Sequence, residues 1–394
     1  MHLDQLLLAL FILLSVVGLA VTLFTDLGLG SVLGLLVAGF IVGPSGLAIT
    51  QRVAELREVS ELGIALLLFI IGLEMRPEKL WSLRRVVFGL GPLQVLVTGV
   101  VLAIYALVTI KTWQAALVLG FGFALSSTAF GVQLLEERHA MTTEYGTASF
   151  GILLFQDLAI VPLLAMVPLL SNQDDAAQHA PFVIRLVQVA AALGAVVLFG
   201  RFVAPWWLGR ALRRVKTDVF SVVVFIGVIG AALAMQLAGL SMALGTFLIG
   251  MLLSGSPHRA EIETVVVPFK GMMLGLFFVA VGMAIDVRVL VSEGARIAAH
   301  MVVLMVIKAL LLYGLSRAFG LSRDAALRIA LLLPQCGEFG FVLFGAAVSA
   351  GVMPNYGFVC AALLISMSMA ATPLLARLSD RFAGPASEPV TPHP

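Results

Sequence analysis

The chain has 394 residues, of which 61% are hydrophobic and 12% charged, with a formal net charge of +2. Its mean hydropathy is +1.09. Soluble domains carry roughly 25% charged and about 45–50% apolar residues, so a soluble enzyme is excluded and a lipid bilayer becomes the expected solvent. No dense basic run is offered to nucleic acid. Apolar stretches of about 20 residues exclude the short alternating strands of an outer-membrane barrel. Cys336 and Cys360 both lie inside apolar segments, which argues against a disulfide framework or a zinc site.

In chain order, the opening Met1-His-Leu-Asp-Gln5 carries no basic run before its apolar stretch, so the first segment reads as a retained helix and not a cleaved signal. Apolar segments bounded by charges or Gly/Pro/Asn clusters predict helices over residues 3–25, 30–48, 58–74, 85–109, 114–136, 144–170, 182–207, 218–238, 240–255, 265–285, 297–319, 325–349 and 354–377. Thirteen crossings put the termini on opposite sides. With the N-terminus outside, the inner loops hold sixteen Lys and Arg residues and the outer loops six, so the positive-inside rule predicts N-out, C-in.

An internal repeat fixes more. Gly28, Leu33, Gly34 and Gly39 match Gly239, Leu244, Gly245 and Gly250 at a constant offset of 211. Gly72 matches Gly282 at 210, and Phe130-Gly131 matches Phe339-Gly340 at 209. Helices one to six then repeat as helices eight to thirteen, and a shift of seven helices inverts the second copy, as in many secondary transporters. The expected fold is an all-α polytopic membrane protein of about 13 helices in two inverted six-helix repeats with two discontinuous, crossing helices. Its expected divisions are a transmembrane domain over 1–380, made of repeat A (1–170), a linker helix (182–207) and repeat B (218–377), and a short disordered tail (381–394).

An ionisable side chain at the bilayer centre costs roughly 2.5–3.5 kcal/mol on insertion scales, so each one needs a reason. Asp157, Lys308 and Glu338 lie at mid-segment, whereas Glu74 and Lys270 lie near segment ends, where they can snorkel. The twelfth segment breaks at Pro334-Gln-Cys-Gly337, and its repeat partner carries Leu125-Ser-Ser-Thr128 at the same depth. Matching interruptions predict two unwound helices crossing at midplane, where freed carbonyls can coordinate a cation. Glu338 is expected to satisfy the freed N–H groups of the opposite break, and the hydroxyls of Ser126, Ser127 and Thr128 either ligate an ion or bond their own i−4 carbonyls. Asp157 and Lys308 have no charged partner in the other repeat, which suits function more than fold. A desolvated carboxylate holds a proton or an alkali cation but not both, which is the essence of a cation/proton antiporter. The alternative is a buried Asp157–Lys308 ion pair.

Taken together, Ala124-Leu-Ser-Ser-Thr128, Leu153-Leu-Phe-Gln-Asp157, Pro268-Phe-Lys-Gly271, Leu276-Phe-Phe278, Val281-Gly-Met283, the Lys308 helix, and Gln335 with Glu338-Phe339 resemble the membrane domain of the Kef-type potassium efflux antiporters. Those belong to the monovalent cation:proton antiporter-2 group of the sodium/proton exchanger superfamily. The resemblance implies a multi-pass bacterial inner-membrane homodimer with an elevator-like alternation of access, no cofactor, and K+ (or Na+) and H+ as cargo. It implies that Asp157 is the shared alkali-cation and proton site, with Gln156 beside it, Lys308 as the core lysine, and Gln335 with Glu338 at the helix break. Kef proteins continue into a nucleotide-binding domain with a Gly-x-Gly-x-x-Gly stretch, and this chain has none before Pro394. A separate or truncated cytoplasmic regulatory domain is therefore the one further partner expected. Rival readings are a Na+/H+ antiporter, a cation channel or a carrier of another metal. An intramembrane aspartyl protease would need a second aspartate, and a zinc protease His-Glu-x-x-His, and neither occurs in the apolar segments.

Overall fold

A computed structural model describes residues 3–27, 29–47, 53–75, 77–110, 112–171, 191, 194–204, 206–207, 210, 217–237, 241–285 and 287–382. Its regular structure is helical throughout the described residues. The first helices are α1 (Leu3–Asp26), α2 (Ser31–Val42), α3 (Val53–Glu74), the short α4 (Pro77–Ser82) and α5 (Gly91–Thr109), the last entered through a π-helical turn at Val86–Leu90. Then come α6 (Trp113–Ala124), α7 (Thr128–Glu137), α8 (Glu144–Met166), α9 (Thr217–Leu237), α10 (Met242–Ser254) and α11 (Arg259–Met283). The chain closes with α12 (Val287–Ala318), α13 (Arg323–Leu332), α14 (Phe339–Ser349) and α15 (Asn355–Phe382). Six helices are long and apolar enough to cross a membrane, and seven shorter apolar helices accompany them among the described residues.

Several expected boundaries move, each for a physical reason. Hydropathy measures apolar length, whereas helices continue into polar surroundings where charges pair along one face. The segment expected at 297–319 thus begins at Val287, its first turns carrying Glu293 and Arg296 in an i,i+3 ion pair of 2.7 Å. The segment expected at 265–285 begins at Arg259, which pairs with Glu263. The segments expected at 114–136 and 325–349 are each two helices, separated by residues 125–127 and 333–338. Most of the linker helix expected at 182–207 lies outside the described residues, and its described part includes an apolar helix at Gly194–Val203. Helix α15 runs to Phe382, so the expected tail loses its first two residues to helix and the rest lies outside the described residues.

The chain forms two compact units. In the second, residues 52–81 and 164–280, α3 packs along α10 and α10 along α9. Glycine permits this approach: a Cβ at Gly72 would strike the Phe247 carbonyl, and one at Gly250 the Phe69 carbonyl. In the first, residues 1–51, 82–163 and 281–394, α5 packs on α6, and α12 on α13 and α15. Here a Cβ at Gly282 would strike the Leu36 carbonyl. Leu135, Ile152, Leu153, Leu312, Ile329 and Leu333 form a fully buried cluster that packs α7, α8, α12 and α13 together beside the second break. Both chain breaks belong to the first unit.

Candidate ion-binding site

Each break ends one half-helix and begins another, so two carbonyl ends and two amide ends meet in the apolar interior. Such ends carry unpaired backbone groups and partial charges of about half a unit, negative at the carbonyl end. The breaks touch directly: Gly337 N–H donates to Leu125 O at 3.0 Å. A Cβ at Gly337 would lie 2.5 Å from Ser126 O, so only glycine allows this contact.

Lys308, fully buried on α12, projects its ammonium between the carbonyl ends. Nζ donates to Gln335 O at 2.7 Å, Leu125 O at 3.1 Å and Ser126 Oγ at 3.3 Å. Three donors meet three acceptors, and the charge stands where the dipoles of α6 and α13 both favour a cation. Hydrogen bonds to charged groups contribute about 1.5–3 kcal/mol each, so three of them offset an insertion cost of roughly 2.5–3.5 kcal/mol. None of the three goes to Asp157, which distinguishes this arrangement from the Asp157–Lys308 ion pair weighed above.

Asp157 is 5% exposed on α8. Its Oδ1 accepts from Thr128 Oγ1 at 2.7 Å. Thr128 is the first residue of α7, and Ser127 caps that helix by accepting Phe130 N–H at 3.3 Å. A carboxylate at an amide end is the favourable sign of charge. Across the break, Ser126 Oγ donates to Leu333 O at 2.7 Å. The three hydroxyls therefore cap, cross-link and hold the carboxylate, and do not turn back to their own i−4 carbonyls.

Gln156 is fully buried and organises the amide side. Its Oε1 accepts Ser126 N–H at 2.8 Å, while Nε2 donates to Gln94 Oε1 at 2.7 Å. One freed N–H of this break, that of Ser126, thus finds Gln156. Glu338 sits half-buried at the N-terminal cap of α14 and makes no side-chain cap bond there. Gln335 is fully buried and gives its carbonyl to Lys308, while its side-chain amide has no hydrogen-bond partner among the described residues.

Three residues escaped the sequence reading of the site. Gln94, buried on α5, also donates from Nε2 to Ala124 O and to Thr98 Oγ1, both at 3.2 Å. Ser368 on α15 accepts Cys336 N–H at 3.0 Å, and Thr372 donates to Ser368 O at 3.0 Å. A search for ionisable groups in apolar segments passes over these uncharged side chains. The available signal was Gln94 itself, an amide within an otherwise apolar span.

A desolvated carboxylate of this kind can hold either a small cation or a proton. The site has no cluster of three or more His, Cys, Asp or Glu side chains among the described residues. The family described as "Sodium/hydrogen exchanger, transmembrane" matches residues 11–377. The chain is 41% identical over 374 residues to the glutathione-regulated potassium-efflux system protein KefC of Klebsiella pneumoniae (strain 342). That match covers 95% of this chain and 60% of KefC, so the chain spans well under two thirds of the relative's length. The structure of the sodium proton antiporter MjNhaP1 from Methanocaldococcus jannaschii superposes with a TM-score of 0.67 at 15% identity, over 97% of this chain and all of that one, and so shares its fold. With the family matched along nearly the whole chain and its fold shared by a solved antiporter, this multi-pass membrane protein is a member of the sodium/hydrogen exchanger family.

Proposed function

We propose that the chain exchanges a monovalent cation, preferentially K+, for a proton by alternating access, with Asp157 binding either ion in turn. The observation that carries this reading is the separation of the two buried charges. Lys308 is bonded to carbonyl and hydroxyl oxygens of the breaks, while Asp157 is held by the Thr128 hydroxyl at the start of α7. The preference for K+ rests on the likeness to KefC, whose name describes potassium efflux. Gln156, Ser126 and Ser127 shape the site, Gln335 and Glu338 belong to its second break, and no cofactor takes part.

The architecture proposed is thirteen crossings in two inverted repeats, N-terminus outside, in a homodimer of the bacterial inner membrane. Contacts within each unit support the repeat. Gly72 abuts Phe247 and Met251, and Gly282 abuts Leu36 and Phe40. Adding 210 to 72 gives 282, and adding 211 to 36 and 40 gives 247 and 251, so the same contact is made twice with the roles of the halves exchanged. Ser126 N–H is held by a side chain of α8, and Cys336 N–H, 210 positions on, by a side chain of α15.

The test is proteoliposome exchange with K+, Na+, Rb+ and Li+ separately, for the native chain and for Asp157→Asn. Native protein moves protons against K+, whereas Asp157→Asn melts at or above the native temperature, because a buried charge has been removed without changing shape, and exchanges nothing. Substantial exchange by a folded Asp157→Asn would refute the assignment.

A further inference from the structure

The first unit contains a cavity of about 570 Å3, in the size range of small-molecule sites. It lies between the C-terminal half of α5, the start of α6, the N-terminal half of α12 and the first turns of α15. Its mouth is at Thr109, Ile110 and Pro354, where helices end, and its walls are mostly apolar, among them Leu102, Leu119 and Ala361. Several of the few polar side chains are already engaged. Tyr105 Oη and His300 Nδ1 share a hydrogen bond of 2.5 Å, and Arg296 pairs with Glu293.

Two simple fillings are therefore poor. An empty cavity costs free energy in proportion to its volume, and buried water needs two to four polar partners each, which these mostly apolar walls offer at few places. The floor is closed by Leu304 and Leu364, each four residues before Lys308 and Ser368, and by Phe123 beside Ala124. The cavity thus runs from a helix-end mouth to about one helical turn, roughly 5.4 Å, from the crossing. A mostly apolar space of this volume, lined also by an Arg and a Tyr, in a chain surrounded by lipid, has the chemistry of one hydrocarbon chain carrying a polar head.

We propose that this cavity is a binding site for one acyl chain of a bilayer phospholipid. The chain end rests on Leu304 and Leu364, and the headgroup lies at the mouth with Arg296 and Tyr356. Nothing in this assignment depends on the transported ion. It rests on the chain's being a membrane protein and stands whether or not Asp157 carries the exchange.

The experiment reconstitutes the full chain in vesicles of phosphatidylethanolamine and phosphatidylglycerol containing a trace of phospholipid with a photoactivatable group near its acyl terminus. After irradiation, adducts are mapped to residues by mass spectrometry. Expected is strong labelling at cavity walls, notably Cys360, Ile297, His300 and Leu304, exceeding that at the outward-facing Leu310 and Leu233, which are 67% and 51% exposed. Ala361→Phe and, from the opposite wall, Ala106→Phe fill the space and cut cavity labelling several-fold while leaving the outward residues labelled as before. Cavity labelling no stronger than outward labelling in the native chain overturns the proposal even if neither variant folds. Cavity labelling unchanged in both folded variants overturns it as well.

Discussion

Replacing Lys308 with Met removes an ammonium while keeping much of the side chain's volume, and the structure sets the consequence acceptor by acceptor. Leu125 O keeps Gly337 N–H, and Ser126 Oγ keeps its own bond to Leu333 O. Gln335 O has no second donor among the described residues. One buried carbonyl is thus orphaned, at about 1–3 kcal/mol. The carbonyl ends of α6 and α13 also lose their cation, worth up to ~2 kcal/mol in partly buried geometries. Relief from burying the charge returns part of this, leaving a net loss of about 2–3 kcal/mol. Lys308→Gln, one bond shorter but with two N–H donors, recovers about 1 kcal/mol through a neutral hydrogen bond. Melting of the detergent-solubilised protein should therefore rank native above Gln above Met. A Met variant that melts at or above the native temperature would refute the view that the ammonium holds the crossing together.

Four further outcomes follow from the same geometry. Thr128→Val deletes the hydroxyl on Asp157 Oδ1; a hydrogen bond to a charged group contributes about 1.5–3 kcal/mol, so half-saturation by K+ in proteoliposome flux should rise about tenfold or more. Gly337→Ala places a methyl 2.5 Å from Ser126 O and forces the breaks apart, with an overpacking loss of about 1–3 kcal/mol read as reduced melting temperature. Gln156→Glu can still accept Ser126 N–H but presents a carboxylate oxygen to Gln94 Oε1, where the native amide donates; melting temperature and exchange should both fall, and a fully active, native-like variant would contradict the assigned bonding. Finally, with Gln156 giving no proton and Lys308 bonded to uncharged acceptors, exchange should be one for one. An imposed membrane potential, worth about 2.3 kcal/mol per charge per 100 mV, would then leave the rate unchanged, and sustained current on a solid-supported membrane would disprove it.

The sequence by itself determined the solvent and the helical class, and it pointed to the buried charges. Long apolar runs leave a chain no soluble alternative, and a charge inside such a run is expensive enough to mark itself, as Asp157 and Lys308 did. The breaks at 125–127 and 333–338 were legible because Ser-Ser-Thr and Pro-Gln-Cys-Gly cannot continue an apolar helix on hydropathy alone. Helix ends were not legible, since Glu293–Arg296 and Arg259–Glu263 look like loop charges until helical spacing brings them together. Only the tertiary structure decided who bonds to whom. Hydrogen-bond partners 30 to 207 positions apart, such as Ser126 with Gln156 and with Leu333, depend on how half-helices cross, which no local pattern encodes. The same holds for Lys308, for which a pair with Asp157 stood as the alternative. In the fold it goes instead to Leu125, Ser126 and Gln335, because two converging carbonyl ends offer an ammonium three acceptors at once.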